Sequence, residues 1–379
     1  MLKPAPATAI PPDARAVLTI NLSALRANWA TLNRAAGSAT CAAVIKADAY
    51  GLGIEELARA LRDEGCETFF VATLTEARRV REVQPGAAIY VLDGLLPGAA
   101  PVYAGFDLRP CLSSLAEIEE WAAFGKATGR RLRAAVHIDT GMNRLGLPPD
   151  EVEQLALNAE IFDHFDMALV MSHLACADEP DHPMNEAQRT RFDALRARLP
   201  PAPASLSNSA GVFLGAHYHY NLVRPGIAMY GGRASADAPN PMRWVVKLQA
   251  RILQVRAVAV GETVGYGASY TVERPTRIAT LACGYADGFL RALSGTDAKP
   301  GPVGFIGAYP VPIVGRVSMD LITVDVTDVP ENQAARGAWV EVLGARTTVD
   351  DLTDRAGTIG YELLTRLGRR VHRVYGGDE

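Results

Sequence analysis

The sequence predicts an α/β fold, a (β/α)8 TIM-like barrel followed by a mainly antiparallel β domain. From residue 41 to about 230, eight short apolar runs alternate with amphipathic helical patterns. Strands that alternate with helices form a parallel sheet, and eight such units close into a barrel. After residue 240, apolar and polar residues alternate at period two between glycines and prolines, which is typical of antiparallel strands.

The elements are predicted in the following order. A leader over residues 1–12 precedes a barrel domain over 13–242 and a β domain over 243–379. The first apolar stretch, ARAVLTINL (14–22), is a candidate for an extra strand that joins the β domain. The barrel strands are AAVI (42–45), TFFVA (68–72), AIYVL (88–92), DLRPCL (107–112), RAAVHI (133–138), MALVMS (167–172), ASLSN (204–208) and NLVRP (221–225).

Helical patterns fill the intervals between these strands, among them SALRANWATL, IEELARALRDEG and EAQRTRFDALRARL. Capping boxes indicate two helix starts, Thr73 with Glu76 and Ser114 with Glu117. Within the β domain, one further helix is predicted over DDLTDRAGTIGYELLTRLG.

The composition argues against several classes of protein. A net charge of −4 over 379 residues does not suit a nucleic-acid or anionic membrane surface. No apolar run approaches the length of about 18 residues that a membrane span needs. The five cysteines have no CxxC spacing, which favours free thiols in a reducing compartment over disulfides or a metal site. We therefore expect a cytoplasmic protein with no metal, no nucleic-acid partner and no membrane partner.

Polar residues follow the predicted barrel strands at their carboxyl ends, where barrel enzymes place their active sites. Most of them are cationic or donate hydrogen bonds, which predicts a pocket for an anionic ligand. They are Lys46, Asp139, Arg144, His173, Ser209 and Arg224.

Lys46 is the candidate nucleophile of this pocket. A lysine at a strand end, partly out of water, has a lowered pKa and can form a Schiff base with an aldehyde. The alternative is a surface lysine whose amine extends to solvent. Ser209, in the loop Asn208-Ser209-Ala210-Gly211, suits a phosphate group, although it could equally cap the next helix. An aldehyde and a phosphate together indicate pyridoxal 5′-phosphate.

Seven motifs occur in an order that resembles one family. They are AVIKADAYGLG, HIDTGMNRLG, SNSAG, VRPGIAMYG, VGYGASYT, CGYADG and VGRVSMD, and they extend from residue 43 to residue 320. Together they resemble the alanine racemases, pyridoxal-phosphate enzymes of fold type III. The resemblance implies interconversion of L-alanine and D-alanine through an external aldimine by a two-base mechanism. It also implies a homodimer whose active sites are shared between subunits, and a supply of D-alanine for peptidoglycan.

The resemblance further implies a role for each matching residue. Lys46 would hold the cofactor and act as the base for D-alanine, and Tyr266 would be the base for L-alanine. Arg144, the backbone of Met319 and Tyr285 would surround the substrate. The residues implied to bind the cofactor, besides Lys46, are Tyr50, His173, Ser209, Arg224, Gly226 and Ile227. Arg224 would face the pyridine nitrogen, and since arginine only donates, that nitrogen would stay unprotonated.

This chain departs from the family at three positions, one of which is a small change, Ser318 in place of a cysteine. Many members carry a lysine where His137 stands, and in some it is carbamylated and braces the arginine that matches Arg144. Histidine forms no stable carbamate, so a buried Arg144 would need another acceptor, either the neutral imidazole or a bound anion. Some members have a tyrosine near the substrate entrance where this chain has Arg369.

Other functions remain open at this point. The same scaffold supports racemases of another small amino acid such as serine, and fold-type III amino-acid decarboxylases. The bulk of Tyr285, Met319 and Arg369 favours a small side chain. A pyridoxal-phosphate carrier without turnover is a third possibility, which the tyrosine-bearing β domain argues against.

Overall fold

The computed structural model describes residues 10–235 and 238–377. The described chain divides into two compact units. The barrel unit contains residues 26–229, 233–235 and 238–241, and the sheet unit contains residues 10–25, 230–232 and 242–377.

The strands, in chain order, are β1 Ala16–Asn21, β2 Thr40–Cys41, β3 Ala43–Val44, β4 Thr68–Val71, β5 Ala88–Val91, β6 Arg109–Leu112, β7 Leu132–His137, β8 Phe165–Met171, β9 Ala204–Ser205, β10 Leu222–Val223, β11 Val246–Val258, β12 Thr276–Leu281, β13 Val303–Ile306, β14 Tyr309–Pro312, β15 Ile322–Asp325, β16 Trp339–Leu343 and β17 His372–Gly376.

The helices are α1 Leu22–Ala36, α2 Lys46–Tyr50, α3 Ile54–Asp63, α4 Leu74–Val83, α5 Ala100–Gly105, α6 Leu115–Thr128, α7 Pro149–Leu157, α8 Pro183–Arg196, α9 Val349–Ala356 and α10 Gly360–Arg366. Short 3₁₀ turns cover Ala159–Asp163, Gly211–Phe213, Ala216–Tyr218, Ile227–Tyr230, Tyr266–Ala268, Tyr285–Asp287 and Arg291–Leu293.

The barrel unit is a parallel sheet in which β3 to β9 pair in sequence order. β2 pairs with β10 in parallel. Backbone hydrogen bonds join β10 to its neighbours, from Asn221 N–H to the Ala204 carbonyl at 3.0 Å and from Val44 N–H to the Pro225 carbonyl at 2.9 Å. These bonds bring the last strand back to the first, and the predicted barrel with its separate β domain is confirmed.

Burial explains why the barrel strands are visible in the sequence as short apolar runs. Parallel strands covered by helices on one side and packed inside the barrel on the other have no solvent face. β4, with the sequence TFFV, is accordingly buried at every position. Phe70 of β4 stacks on Tyr90 of β5, with ring centroids 4.8 Å apart.

The sheet unit is built on a mainly antiparallel sheet with the strand order β14-β13-β16-β11-β1-β17, and β12 and β15 extend it from β11. β1 lies between β11, to which it is antiparallel, and β17, to which it is parallel. The first apolar stretch of the chain is thus an interior strand of this sheet. The predicted single helix over residues 350–368 was wrong: α9 ends before Gly357, which has a φ of 70°, and α10 begins at Gly360.

One capping box is confirmed and the other is only half correct. Thr73 and Glu76 form both reciprocal bonds at the start of α4. Ser114 accepts the Glu117 N–H, but the Glu117 carboxylate accepts the N–H of Ser113 instead, at 2.7 Å. None of the helices within residues 10–235 and 238–377 has the length and apolar character that crossing a membrane requires.

Candidate active site

Lys46 follows β3 and begins an unusual segment, α2. The next four residues, Ala47 to Tyr50, have φ angles of 54°, 56°, 53° and 57°. This is one turn of left-handed helix, closed by a hydrogen bond from Gly51 N–H to the Ala47 carbonyl at 2.7 Å. A left-handed conformation costs a residue with a Cβ about 1–2 kcal/mol, so the turn stores several kcal/mol that its surroundings must offset.

The Lys46 side chain is half-buried, and charges of both signs lie near its amine. Burial lowers the pKa of Lys46, and the Arg144 guanidinium lowers it further, while the carboxylates of Asp93 and Glu76 oppose both effects. The lowered pKa leaves more of the amine unprotonated near neutral pH than an exposed lysine would have. The side chain is half-buried, unlike the exposed surface lysine of the alternative interpretation.

Ser209 is buried and holds the loop that follows β10. Its hydroxyl accepts hydrogen bonds from the N–H groups of Gly226 at 2.8 Å and Ala228 at 3.4 Å. It does not cap the next 3₁₀ turn, whose N-cap is Ala210 and has no side-chain cap bond. Tyr50 packs against Gly226 so closely that a methyl group at Gly226 would overlap the Tyr50 hydroxyl.

Arg224 directly follows β10 and is a buried cation. Its Nη1 donates to the Ser205 hydroxyl, and its Nη2 donates to the Ser172 carbonyl at 2.6 Å. The guanidinium thus binds interior hydroxyl and carbonyl groups. Burial lowers the pKa of Arg224 to about 10, which still leaves it charged at neutral pH.

Two histidines near Arg224 have lowered pKa values, which favours the neutral form of each. His173 Nδ1 is 3.4 Å from Arg224 Nη2, and its pKa is well below the ordinary value because of burial and then the charge of Arg224. Burial and Arg224 also lower the pKa of His137 to about 4. The His137 ring contacts the Ser113 hydroxyl at 3.3 Å through Nδ1.

Arg144 lies in the loop after β7 and is exposed in the single chain. The single chain therefore does not show the burial that would call for a bracing acceptor at Arg144. The loop itself is fixed by Asp139, whose Oδ1 accepts the N–H groups of Gly141 and Met142, both at 3.0 Å. Its backbone is tight, since a methyl group at Gly146 would lie 2.7 Å from the Asp139 nitrogen.

Three of the predicted residues, Tyr266, Tyr285 and Met319, belong to the sheet unit and are exposed there. Tyr266 is 73 % exposed, in a turn between Gly265 and Gly267, so it is not part of the hydrophobic core. Tyr285 and Met319 are 43 % and 54 % exposed. They are adjacent because the Tyr285 N–H donates to the Ser318 carbonyl at 3.0 Å.

The structure adds site residues that the sequence did not indicate. Ser205 and the Ser172 carbonyl hold Arg224, whose guanidinium carbon lies 5.9 Å from the centre of the Phe70 ring. Asp93 is a carboxyl group with a raised pKa, caused first by burial and then by Glu76. No sequence motif marks these residues, because only their positions along a strand or a loop bring them to the site.

These residues fit an aldehyde-bearing phosphate. The barrel unit offers one amine with a lowered pKa, a tight glycine loop bonded to a buried serine, and a buried guanidinium held by neutral groups. A phosphate suits such a loop because backbone N–H groups and a hydroxyl can surround it. Within the described residues, no group of three histidine, cysteine, aspartate or glutamate side chains could hold a metal ion.

Comparison with known proteins agrees with this geometry. The chain matches the family model for the alanine racemase N-terminal domain over residues 20–234 and that for the C-terminal domain over residues 245–375. It is 52 % identical to the alanine racemase of Methylobacterium sp. (strain 4-46), over 94 % of this chain and 97 % of that protein. It is 47 % identical to a catabolic alanine racemase of Mesorhizobium japonicum, over 96 % and 94 %.

Among solved structures, the chain is similar to the alanine racemase from Bartonella henselae with covalently bound pyridoxal phosphate. The TM-score is 0.89 and the identity 38 %, over 96 % of this chain and 99 % of that one.

Proposed function

Because this chain belongs to the alanine racemase family, we propose that it interconverts L-alanine and D-alanine with pyridoxal 5′-phosphate as its cofactor. The observation that carries the proposal is the pairing of a lysine of lowered pKa with a serine-glycine phosphate loop in one barrel unit. Bound at Lys46, the cofactor supplies an aldehyde for the amine and a ring that draws electrons from the carbon carrying the substrate amino group.

The residues of the barrel unit would hold this group. The N–H groups near Ser209, Gly226 and Ile227, with the Tyr50 hydroxyl, would bind the phosphate. Arg224 would donate to the ring nitrogen, and His173 would keep the guanidinium oriented from 3.4 Å. Arg144 would bind the substrate carboxylate, for which an exposed guanidinium on a stiff loop is suited.

Racemisation requires two bases on opposite faces of the substrate, and we assign them to Lys46 and Tyr266. Lys46 would take the α-proton of D-alanine and Tyr266 that of L-alanine. Tyr266 meets the first requirement of such a base, since its phenol is exposed and its turn is held open by Gly265 and Gly267. The N–H of Met319 would bind the carboxylate and Tyr285 would flank the substrate.

We further propose that the enzyme is a homodimer in which these sheet-unit residues complete the site of the second subunit. The support is the exposure of four apolar or aromatic side chains in that unit. They are Tyr266, Tyr285, Met319 and Leu321. A monomer would leave this surface in water, and burying it against a second copy would be favourable.

The physiological role proposed is the supply of D-alanine for peptidoglycan in the cytoplasm. Five free cysteines suit a reducing compartment. The relative from Mesorhizobium japonicum is named catabolic, so this role needs its own test. Expression of the chain in a bacterium that requires D-alanine should restore growth without the supplement, and failure of an active, expressed enzyme to do so would contradict the biosynthetic role.

The central experiment is incubation of the purified protein with L-alanine in deuterated water. We expect D-alanine carrying deuterium at Cα, and no carbon dioxide. Parallel reactions with L-serine distinguish another small substrate from alanine. Borohydride treatment should attach the cofactor to Lys46, and a Lys46→Arg variant should lack both the label and turnover. Label on another lysine, or D-alanine without deuterium, would contradict the assignment.

A further inference from the structure

The left-handed turn after Lys46 needs an external support. Ala47, Asp48, Ala49 and Tyr50 each carry a Cβ, and none is a glycine that would adopt positive φ freely. Such backbone persists only where neighbouring groups hold it. The turn also decides where two site residues point, since Lys46 precedes it and Tyr50 ends it.

Glu76 provides one support, through both carboxylate oxygens. Its Oε1 accepts the Asp48 N–H, inside the turn, at 3.1 Å. Its Oε2 accepts the N–H groups of Ala72 at 3.0 Å and Thr73 at 3.3 Å, at the start of α4. Glu76, whose capping box marks the start of α4, therefore also connects α4 to the left-handed turn.

Asp48 and Arg79 form a second, parallel support. The Asp48 carboxylate accepts the Ile54 N–H at 3.2 Å and the Arg79 guanidinium at 2.7 Å. Arg79 in turn binds Glu55, with Nε 2.6 Å from Oε1. Both supports originate from α4, so the helix that follows β4 holds the backbone that follows β3.

We propose that Glu76 is a positioning residue for Lys46, fixing the left-handed turn that presents the amine and Tyr50 to the same site. This inference rests on the proposed function for its catalytic meaning. Glu76 is also one of two carboxylates whose charge favours the protonated form of Lys46 and so raises its pKa. The residue thus acts on the amine by geometry and by charge, without contacting substrate.

A carboxylate is needed because the bridge uses two acceptor oxygens on different elements. Glutamine has one acceptor oxygen, and its amide nitrogen would face a backbone N–H with no lone pair to offer. Glu76→Gln must therefore lose either the turn or the helix cap. Aspartate keeps the charge but is one methylene shorter, so it cannot span both elements in the same position.

The test compares wild type, Glu76→Gln, Glu76→Asp and Asp351→Asn as full-length proteins. Asp351 is the matched control, because it is also a capping-box carboxylate, at Thr348 in the sheet unit. Hydrogen exchange of the peptide covering residues 46–53 is measured by mass spectrometry. We expect roughly fivefold faster exchange in Glu76→Gln, the effect of losing about one net hydrogen bond, and no change in Asp351→Asn.

A second measurement separates charge from geometry. The rate of pyridoxal-phosphate uptake by the cofactor-stripped chain is followed spectroscopically against pH. The pH midpoint of the uptake rate should move to lower pH in Glu76→Gln, because the protonated amine of Lys46 loses a stabilising carboxylate. In Glu76→Asp the midpoint should stay near the wild-type value. Both Glu76 variants should lower kcat for L-alanine more than they change KM.

These measurements test the positioning role of Glu76 and the proposed function of the enzyme separately. Unchanged exchange over residues 46–53 in both Glu76 variants overturns the inference, as does equal acceleration by Asp351→Asn. Should Glu76→Gln fail to fold, the exchange rate of Glu76→Asp decides alone. A wild-type protein that takes up no pyridoxal phosphate at Lys46 refutes the proposed function, while the exchange data still decide whether Glu76 holds the turn.

Discussion

A methyl group at Gly226 should disable the site through one contact, with Tyr50. The backbone of Gly226 does not have positive φ, so alanine is conformationally acceptable there. Its Cβ, however, would overlap the Tyr50 hydroxyl and lie 3.2 Å from Tyr50 Cζ and 3.5 Å from Val44 Cβ. Because Tyr50 and Val44 are both buried, the tyrosine ring must move away from the Gly226 backbone.

The structure gives the size of this effect. Overpacking of a buried contact typically costs about 1–3 kcal/mol, which here would weaken pyridoxal-phosphate binding by roughly five- to 150-fold. Removing the hydroxyl with Tyr50→Phe leaves 3.2 Å as the closest approach, a distance that needs a shift of only a few tenths of an ångström. In that background, Gly226→Ala should cost less than about 1 kcal/mol.

The assay is a double-mutant cycle on cofactor affinity, measured by fluorescence titration of the stripped protein. Gly86→Ala is the control, since a methyl group there meets nothing within 4 Å and the residue has no positive φ. Equal losses from Gly226→Ala in the wild-type and Tyr50→Phe backgrounds would refute the reasoning, because the penalty would then not arise from the hydroxyl. Reduced affinity in Gly86→Ala would show a non-specific effect.

Three further predictions concern single residues. Tyr266→Phe should slow removal of the L-alanine α-proton by on the order of a hundredfold or more, measured as deuterium exchange, and leave thermal stability unchanged because the side chain is exposed; normal exchange would exclude it as a base. Ser209→Ala should weaken pyridoxal-phosphate binding about tenfold, since the loop that would surround the phosphate loses the hydroxyl that holds two of its N–H groups in place; unchanged affinity would remove Ser209 from the phosphate site. His137 binds its proton in the folded state only near pH 4, against 6.5 when unfolded, so stability should fall by up to about 3 kcal/mol as pH drops through this interval. The free energy of unfolding in urea, measured at about pH 4.5 and pH 7, should therefore differ less between the two pH values in His137→Asn than in wild type. An identical pH dependence of the two proteins would contradict this prediction.

Most of the barrel could be predicted because its strands are buried on both faces. Such strands appear as uninterrupted apolar runs, and the residue after each run is placed at the carboxyl end of the barrel by topology alone. This logic predicted positions for Lys46, His173 and Arg224. The helical pattern over residues 350–368 was predicted to form one helix, but Gly357, in the left-handed conformation, divides it into two helices.

The left-handed turn after Lys46 was not predictable by these rules. Alanine is the residue most favourable to right-handed helix, so the stretch KADAY carries no local signal for positive φ. The conformation is held by hydrogen bonds from α4, including one to Glu76, which is 28 residues from Asp48 in sequence. The partners of Arg224 were missed for a related reason, since Ser205 and Ser172 become neighbours only through the register of adjacent strands.

The place of β1 between β11 and β17 has a consequence for biosynthesis. Ala16–Asn21 is translated before the barrel sequence, yet both of its pairing strands emerge only after that entire sequence has been translated. Until then the segment is a β-forming edge with unmet backbone donors and acceptors, the kind of surface that associates with other nascent chains. This sheet can therefore be completed only late in folding. In molecules truncated before His372, β1 would keep an unpaired edge that can associate with other chains.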